Sequence, residues 1–246
     1  MSARVSLQAR VEQYLAEHPD ALDRPVERPI VVAGLPRTGT THLHNLMAAD
    51  PDLRQLSYWE SLEPFPAPDE PGEQARRDRC AAGLDIVNTS MPEFKRMHDM
   101  TVDHAHEEIQ LLAIDFSTML FETIAPMPTL RDDYEARDQT PHYEYLRRVL
   151  QVLQHARGGD RWVLKSPQHL EQLGPLSTVF PDATFVLTHR DPGDVTYEHD
   201  EHGFLSTRWA WGAAKTKLVA VRYGNCVDSR GSVIEMWRKA RLEGRA

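Results

Sequence analysis

The apolar positions of this chain gather into brief dense runs separated by longer stretches with helical spacing. Ile30-Val31-Val32-Ala33, Trp162-Val163-Leu164 and Thr184-Phe185-Val186-Leu187 are too short for helices and rich in β-branched or aromatic residues, so they predict buried strands. Residues 1–18 place Val5, Leu7, Val11, Tyr14 and Leu15 on one helical stripe. Thr40 to Ala49 has helical spacing, with His44, Met47 and Ala48 on one face, and Asp50-Pro51 stops it. Helical patterns recur around 73–88 and 103–115. The clearest covers 140–156, opened by Thr140-Pro141 and closed by Gly158-Gly159. A helical turn is predicted at His169–Val179, a short strand at Gln55–Tyr58 beside the first strand, and a last helix at Val233–Leu242. Four prolines between 62 and 72 exclude regular structure there. Strands alternating with helices predict an α/β fold with a parallel sheet and crossover connections. The boundaries read as an N-terminal helix and connection over 1–28, an α/β domain over 29–200, and a C-terminal segment of the same domain over 201–246.

Composition narrows the class. The 246 residues carry a net charge of −9, which argues against a general nucleic-acid binder. No apolar run approaches the ~20 residues of a membrane span, and MSARVSLQAR lacks the apolar region of a secretory signal. Cys80 and Cys226 form no disulfide or metal framework, so a reducing cytoplasm is the expected location. The charge is uneven: residues 208–246 carry +6 and the rest −15. Such asymmetry marks an anion-binding arm or a change of sequence character.

The segment IVVAGLPRTGTTHLHNLM sets a glycine-flanked turn between a strand and a helix. Backbone N–H groups of such a turn converge at the positive end of the helix dipole, which suits a phosphate or sulfate. Gly34 and Gly39 match the glycine spacing of G-x-x-x-x-G-K-[ST], but Thr40 stands where that motif has lysine, and Arg37 supplies a cation from mid-loop.

This turn, Pro36-Arg37-Thr38-Gly39-Thr40-Thr41, resembles the 5′-phosphosulfate loop of sulfotransferases that use 3′-phosphoadenosine 5′-phosphosulfate (PAPS). Asp103-His104-Ala105-His106-Glu107-Glu108, Arg161–Pro167, and Phe180–Ala183 with Thr188–Pro192 resemble blocks of a bacterial, largely actinobacterial, branch of that family. The resemblance covers about residues 28–196, after which the chain reads as shortened or divergent. It implies a P-loop-NTPase-like three-layer sandwich and sulfuryl transfer from PAPS to a hydroxyl or amine of a small-molecule or lipid-like acceptor, with no metal required. Arg37, Thr38, Gly39, Thr40 and Thr41 would hold the 5′-phosphosulfate, and Arg190 the 3′-phosphate. Many relatives add a serine eight residues after that arginine. Here the position is Glu198, whose charge would repel a phosphate.

Sulfuryl transfer, like phosphoryl transfer, rests on positioning and charge stabilisation. Lys165, directly after a predicted strand, suits the transferring sulfonate. Glu60, at the place where some relatives carry a glutamate base, is the first candidate to take the acceptor proton; an apolar cleft lined by tryptophan would raise its pKa. The alternative is the cluster His104, His106, Glu107 and Glu108, which on a helix puts His104 on one face with Glu107 and Glu108. Two other functions compete: a nucleotide-dependent kinase, disfavoured by the missing loop lysine, and an inactive nucleotide-binding homologue. The sequence names no acceptor and leaves homo-oligomerisation open.

Overall fold

The computed structural model describes residues 2–35, 38–67, 70, 72–92, 95, 100–189 and 217–222. Helix α1 (Ser2–Glu17) leads through a short 3-10 turn at Pro19–Leu22 to strand β1 (Ile30–Gly34). Helix α2 (Thr40–Ala48) follows, then α3 (Tyr58–Leu62), α4 (Gln74–Ser90), α5 (Ile109–Leu112), α6 (Leu120–Ile124), α7 (Pro128–Ala136) and α8 (Thr140–Arg157). Strand β2 (Val163–Lys165), a 3-10 turn at Pro167–Leu170, α9 (Leu173–Val179), β3 (Thr184–His189) and β4 (Lys217–Arg222) complete the described elements.

The four strands form one sheet in the order β2-β1-β3-β4, every described pair parallel. All five residues of β1 are buried, as expected for a parallel strand covered on both faces. Side chains alternate between those faces. Val31, Leu164 and Phe185 join one cluster with Val11 of α1, Leu150 of α8 and Leu176 of α9. Ile30, Val32, Val163 and Val186 meet Leu43, Met47 and Ala48 of α2 on the other side. The result is a three-layer α/β sandwich of the P-loop type. Helix α8 earns its place through buried Tyr143, Leu146, Val149, Leu150, Val152 and Leu153, which repeat at helical spacing. It ends at Gly158, whose φ of 80° favours glycine.

Three expectations need correction. The Gln55–Tyr58 segment does not neighbour β1. It lies beyond β2, where Arg54 pairs with Trp162, so β2 separates it from the loop strand. Residues 103–108 are not helical; helix begins only at Ile109. His106 N–H donates to Leu56 O at 2.7 Å and Tyr58 N–H to His104 O at 3.1 Å, so this stretch runs antiparallel to residues 56–58. Cross-chain backbone bonds satisfy the donors that a helix would have used, and the proposed shared helical face of His104 with Glu107 and Glu108 does not exist. Finally, β4 extends the sheet beyond β3, where the hydrophobic pattern alone gives no strand. The Val233–Leu242 helix lies outside the described residues.

Candidate active site

The site gathers at the C-terminal ends of β1, β2 and β3, where open α/β sheets bind ligands. At the end of β1, the chain turns through Thr38 and Gly39 into α2. Gly39 takes a φ of 90°, open to glycine but strained for other residues. Gly34 is needed for a different reason: a Cβ there would stand 1.9 Å from Thr188 Oγ1 and 2.7 Å from Thr38 Oγ1. The Thr38 hydroxyl donates to Leu35 O at 2.6 Å and lies 2.6 Å from the Thr188 hydroxyl. One hydroxyl has one proton, so Thr188 is the donor of the second bond. Thr38 N–H also donates to Leu35 O, at 3.2 Å. Thr38 therefore braces the turn and anchors it to β3, and does not offer its own donors to an anion as the resemblance implied.

Thr40 and Thr41 open α2, so their N–H groups belong to the first turn, which lacks intrahelical acceptors. Thr41 faces Lys165: Lys165 Nζ donates to Thr41 Oγ1 at 3.4 Å. The structure thus brings together the head of α2 and the cation at the end of β2. Lys165 is only 2% exposed and pairs with the Glu107 carboxylate, which keeps an ammonium stable in a buried place. Next to it, the buried Ser166 Oγ has no partner among the described residues. Arg37, Arg190 and Glu198 lie outside the described residues.

Beneath this surface runs a buried polar chain. Glu108, fully buried, accepts Lys165 N–H at 2.9 Å through Oε2 and binds His169 Nε2 through Oε1. Burial pushes its carboxyl up, but the charge and hydrogen bond of His169 and backbone N–H donors outweigh that and hold it below the ordinary value. An ionised Glu108 requires His169 Nε2 to donate. His169 Nδ1 meets the Tyr143 hydroxyl at 2.9 Å. His44, on α2, points Nε2 at Val163 O, 3.3 Å away. Burial, then the charge of Lys165, pushes His44 down to about 4, so it stays neutral and donates to that carbonyl.

Glu60 does not fit the role of base. It is 1% exposed, and its Oε1 is held by Arg54 Nη2 at 2.6 Å and Arg157 Nε at 2.9 Å. Two guanidinium groups hold one oxygen of this buried carboxylate in an ion-pair cluster. Its neighbour Trp59 stacks under Arg76, Arg77 and Arg157, 4.4 to 4.9 Å from the ring. Arg54 pairs with Trp162, the residue just before β2, and Arg157 sits at the end of α8. The backbones of both arginines thus lie near the N-terminal end of β2, whereas Lys165 closes its C-terminal end. His106 is better placed. It lies one residue from Glu107, the partner of Lys165, and its Nδ1 is 3.0 Å from His104 Nε2. Sequence reasoning missed Thr188 and His169. Thr188 sits in a quoted motif beside Arg190, but only the sheet register reveals that it faces Thr38.

A parallel sandwich with a glycine turn opening a helix, and a buried lysine at the adjacent strand end, defines an α/β protein of the P-loop type in which the family's lysine position is held by threonine. The chain belongs to the sulfotransferase family: the family model matches residues 29–244. The match runs well past residue 196, where the recognisable motifs end. The chain is similar to sulfotransferase STF1 from Mycobacterium tuberculosis H37Rv, with 28% identity, a TM-score of 0.65, and coverage of 85% of this chain and 66% of that one. It is also similar to sulfotransferase STF9 from Mycobacterium avium, with 25% identity, a TM-score of 0.66, and coverage of 99% and 70%. It thus spans about two thirds of the length of these neighbours. No curated protein matches. None of the described helices is long and apolar enough to cross a membrane.

Proposed function

We propose that this chain transfers a sulfuryl group from PAPS to a hydroxyl of a small-molecule or lipid-like acceptor. The observation that carries the reading is the meeting of Lys165 Nζ with Thr41 Oγ1 at the head of α2. A cation, a hydroxyl and the first-turn N–H groups converge there, a donor set suited to a phosphosulfate. Bound PAPS supplies the anhydride whose sulfur–oxygen bond breaks. Thr40 and Thr41 hold the phosphate oxygens through backbone and hydroxyl donors. Arg37 and Arg190, by their motif positions, add the loop cation and the 3′-phosphate clamp. Lys165 turns from Glu107 toward the sulfonate as charge grows on the bridging oxygen. His106 takes the acceptor proton as the new sulfur–oxygen bond forms, and no metal enters the scheme.

Two measurements test this. Isothermal titration should detect adenosine 3′,5′-bisphosphate and no comparable binding of ATP with Mg²⁺; the reverse preference would replace the reading with a kinase. Labelled sulfate should pass from PAPS into a pooled small-molecule and lipid extract. Binding without transfer would mark an inactive nucleotide-binding homologue.

A further inference from the structure

The outer edge of β2 carries one backbone rung and then stops. Arg54 N–H donates to Arg161 O at 2.7 Å, and Val163 N–H donates to Arg54 O at 2.9 Å. A parallel ladder advances two residues at a time. The next rung would therefore give Val163 O a donor in Leu56 N–H, and Lys165 N–H an acceptor in Leu56 O. Leu56 O instead takes His106 N–H at 2.7 Å, and the bridge at Arg54 and Trp162 stays isolated. Two side chains fill the places left on β2. His44 Nε2 lies 3.3 Å from Val163 O, and Glu108 Oε2 accepts Lys165 N–H at 2.9 Å. A nitrogen facing a carbonyl must donate, so His44 carries a proton on Nε2. Both side chains are fully buried, where an unpaired backbone group would be costly.

Each substitute is also tied to the site. His44 follows Thr41 by three positions and shares its face of α2. Val163 and Lys165 share one face of β2, and on it Val163 packs with Leu43, Met47 and Ala48 of α2. His44 on Val163 O and Lys165 Nζ on Thr41 Oγ1 are thus two ties between the same helix and strand. Glu108 works from the other side. Its Oε1 binds His169 Nε2, so one carboxylate spans the turn from Lys165 to His169 and fixes the backbone from which the lysine side chain leaves.

We infer that His44 and Glu108 are positioning residues: their side chains replace the missing rung at the edge of β2 and so hold Lys165 against the head of α2. The inference rests on the sulfotransferase reading for its chemical purpose, but not for its structural test. Without Glu108, Lys165 N–H becomes a buried orphan donor, and the turn must shift to find it a partner, carrying Nζ along. A displacement of about 1 Å at a group that meets developing charge can cost roughly a hundredfold in rate.

The test uses the full isotope-labelled chain and reads the rung before turnover. Hydrogen exchange of Lys165 N–H, relative to that of Val31 N–H in β1, should quicken about tenfold or more in Glu108→Leu, the loss expected for a hydrogen bond to a charged group. Glu108→Gln, whose amide oxygen can accept from the same N–H, should recover most of the protection. A nuclear Overhauser contact between the Lys165 ε protons and the Thr41 methyl should weaken in Glu108→Leu and in His44→Leu. It should return in Glu108→Gln and in His44→Gln, whose amide N–H can reach Val163 O. His44→Leu carries the test from the α2 side should Glu108→Leu not fold. With PAPS and the pooled extract, each leucine variant should lower kcat roughly tenfold to a hundredfold while KM for PAPS stays within about twofold. In a Lys165→Met chain the same substitutions should change kcat by less than about twofold, because effects that act through one group do not add. An unmoved contact between Lys165 and Thr41 in the leucine variants overturns the inference, as does a kcat loss that persists undiminished in the Lys165→Met chain. If exchange and contact change as stated but the unmutated chain transfers no sulfate, the side-chain rung stands and the sulfotransferase reading fails.

Discussion

Lys165 and Glu60 are both buried charged residues, yet their surroundings differ. Lys165 has one carboxylate partner and the Thr41 hydroxyl at the head of α2 within reach. Its replacement by Met should cut turnover by about 10² to 10³, the cost of removing one donor at a developing charge, with adenosine 3′,5′-bisphosphate binding reduced far less. Glu60 neutralises two guanidinium groups. Glu60→Gln should leave kcat per folded molecule unchanged and lower the unfolding free energy by about 2 kcal/mol, below the roughly 3–5 seen for fully buried pairs because both arginines retain some exposure. Urea unfolding and single-turnover assays on the same sample separate the two effects. The sequence made Lys165 legible because a strand end is a local feature. It could not disclose Glu60's partners, since Arg54 and Arg157 come from different elements and only packing unites them.

At the scale of elements, strands β1, β2 and β3 and the long helix α8 were readable because burial gives each a recognisable apolar pattern by itself. The stretch 103–108 was not, because its structure is decided by residues 56–58, which capture its backbone donors. The same segment carries the buried chain from Lys165 N–H through Glu108 and His169 to Tyr143, and its stability should depend on pH. The Glu108 pKa is depressed on folding, so its contribution is present above the ordinary carboxylate value and is lost as pH falls through the depressed one. The urea midpoint should therefore drop as pH is lowered below about 4, and drop less in Glu108→Gln. Equal acid sensitivity in both proteins would remove Glu108 as a cause.

For the whole molecule, residues 217–222 of the basic C-terminal part are tied into the sheet. Strand β4 pairs with β3 over six residues, from Thr184 with Lys217 to His189 with Arg222. The strand was hidden because its apolar stretch, Leu218 to Val221, is short and flanked by cations, and because pairing partners of a parallel strand are remote in sequence. Ending the chain at residue 200 should expose the hydrogen-bonding edge of β3 and yield aggregated protein; a soluble, cooperatively unfolding fragment of 1–200 would show that β4 is dispensable. Gly34→Ala tests the β1–β3 pairing at the centre of the same sheet: the added methyl meets Thr188 Oγ1 at 1.9 Å, and a loss of about 1–3 kcal/mol in unfolding free energy is expected.

The hydroxyl pair of Thr38 and Thr188 joins residues 150 positions apart, and that separation has a kinetic consequence. The turn cannot take its binding shape until β1 and β3 have found each other, a contact of the non-local kind that makes folding slow. On the proposed function, affinity for the nucleotide is thus acquired late, and only by molecules whose sheet is already assembled. A nucleotide that binds the finished turn would act as a trap for the native state, raising apparent stability by about 2.7 kcal/mol at a hundredfold excess over its Kd. Recovery of protein during refolding should rise accordingly when the nucleotide is present, even though it touches nothing until folding is nearly complete.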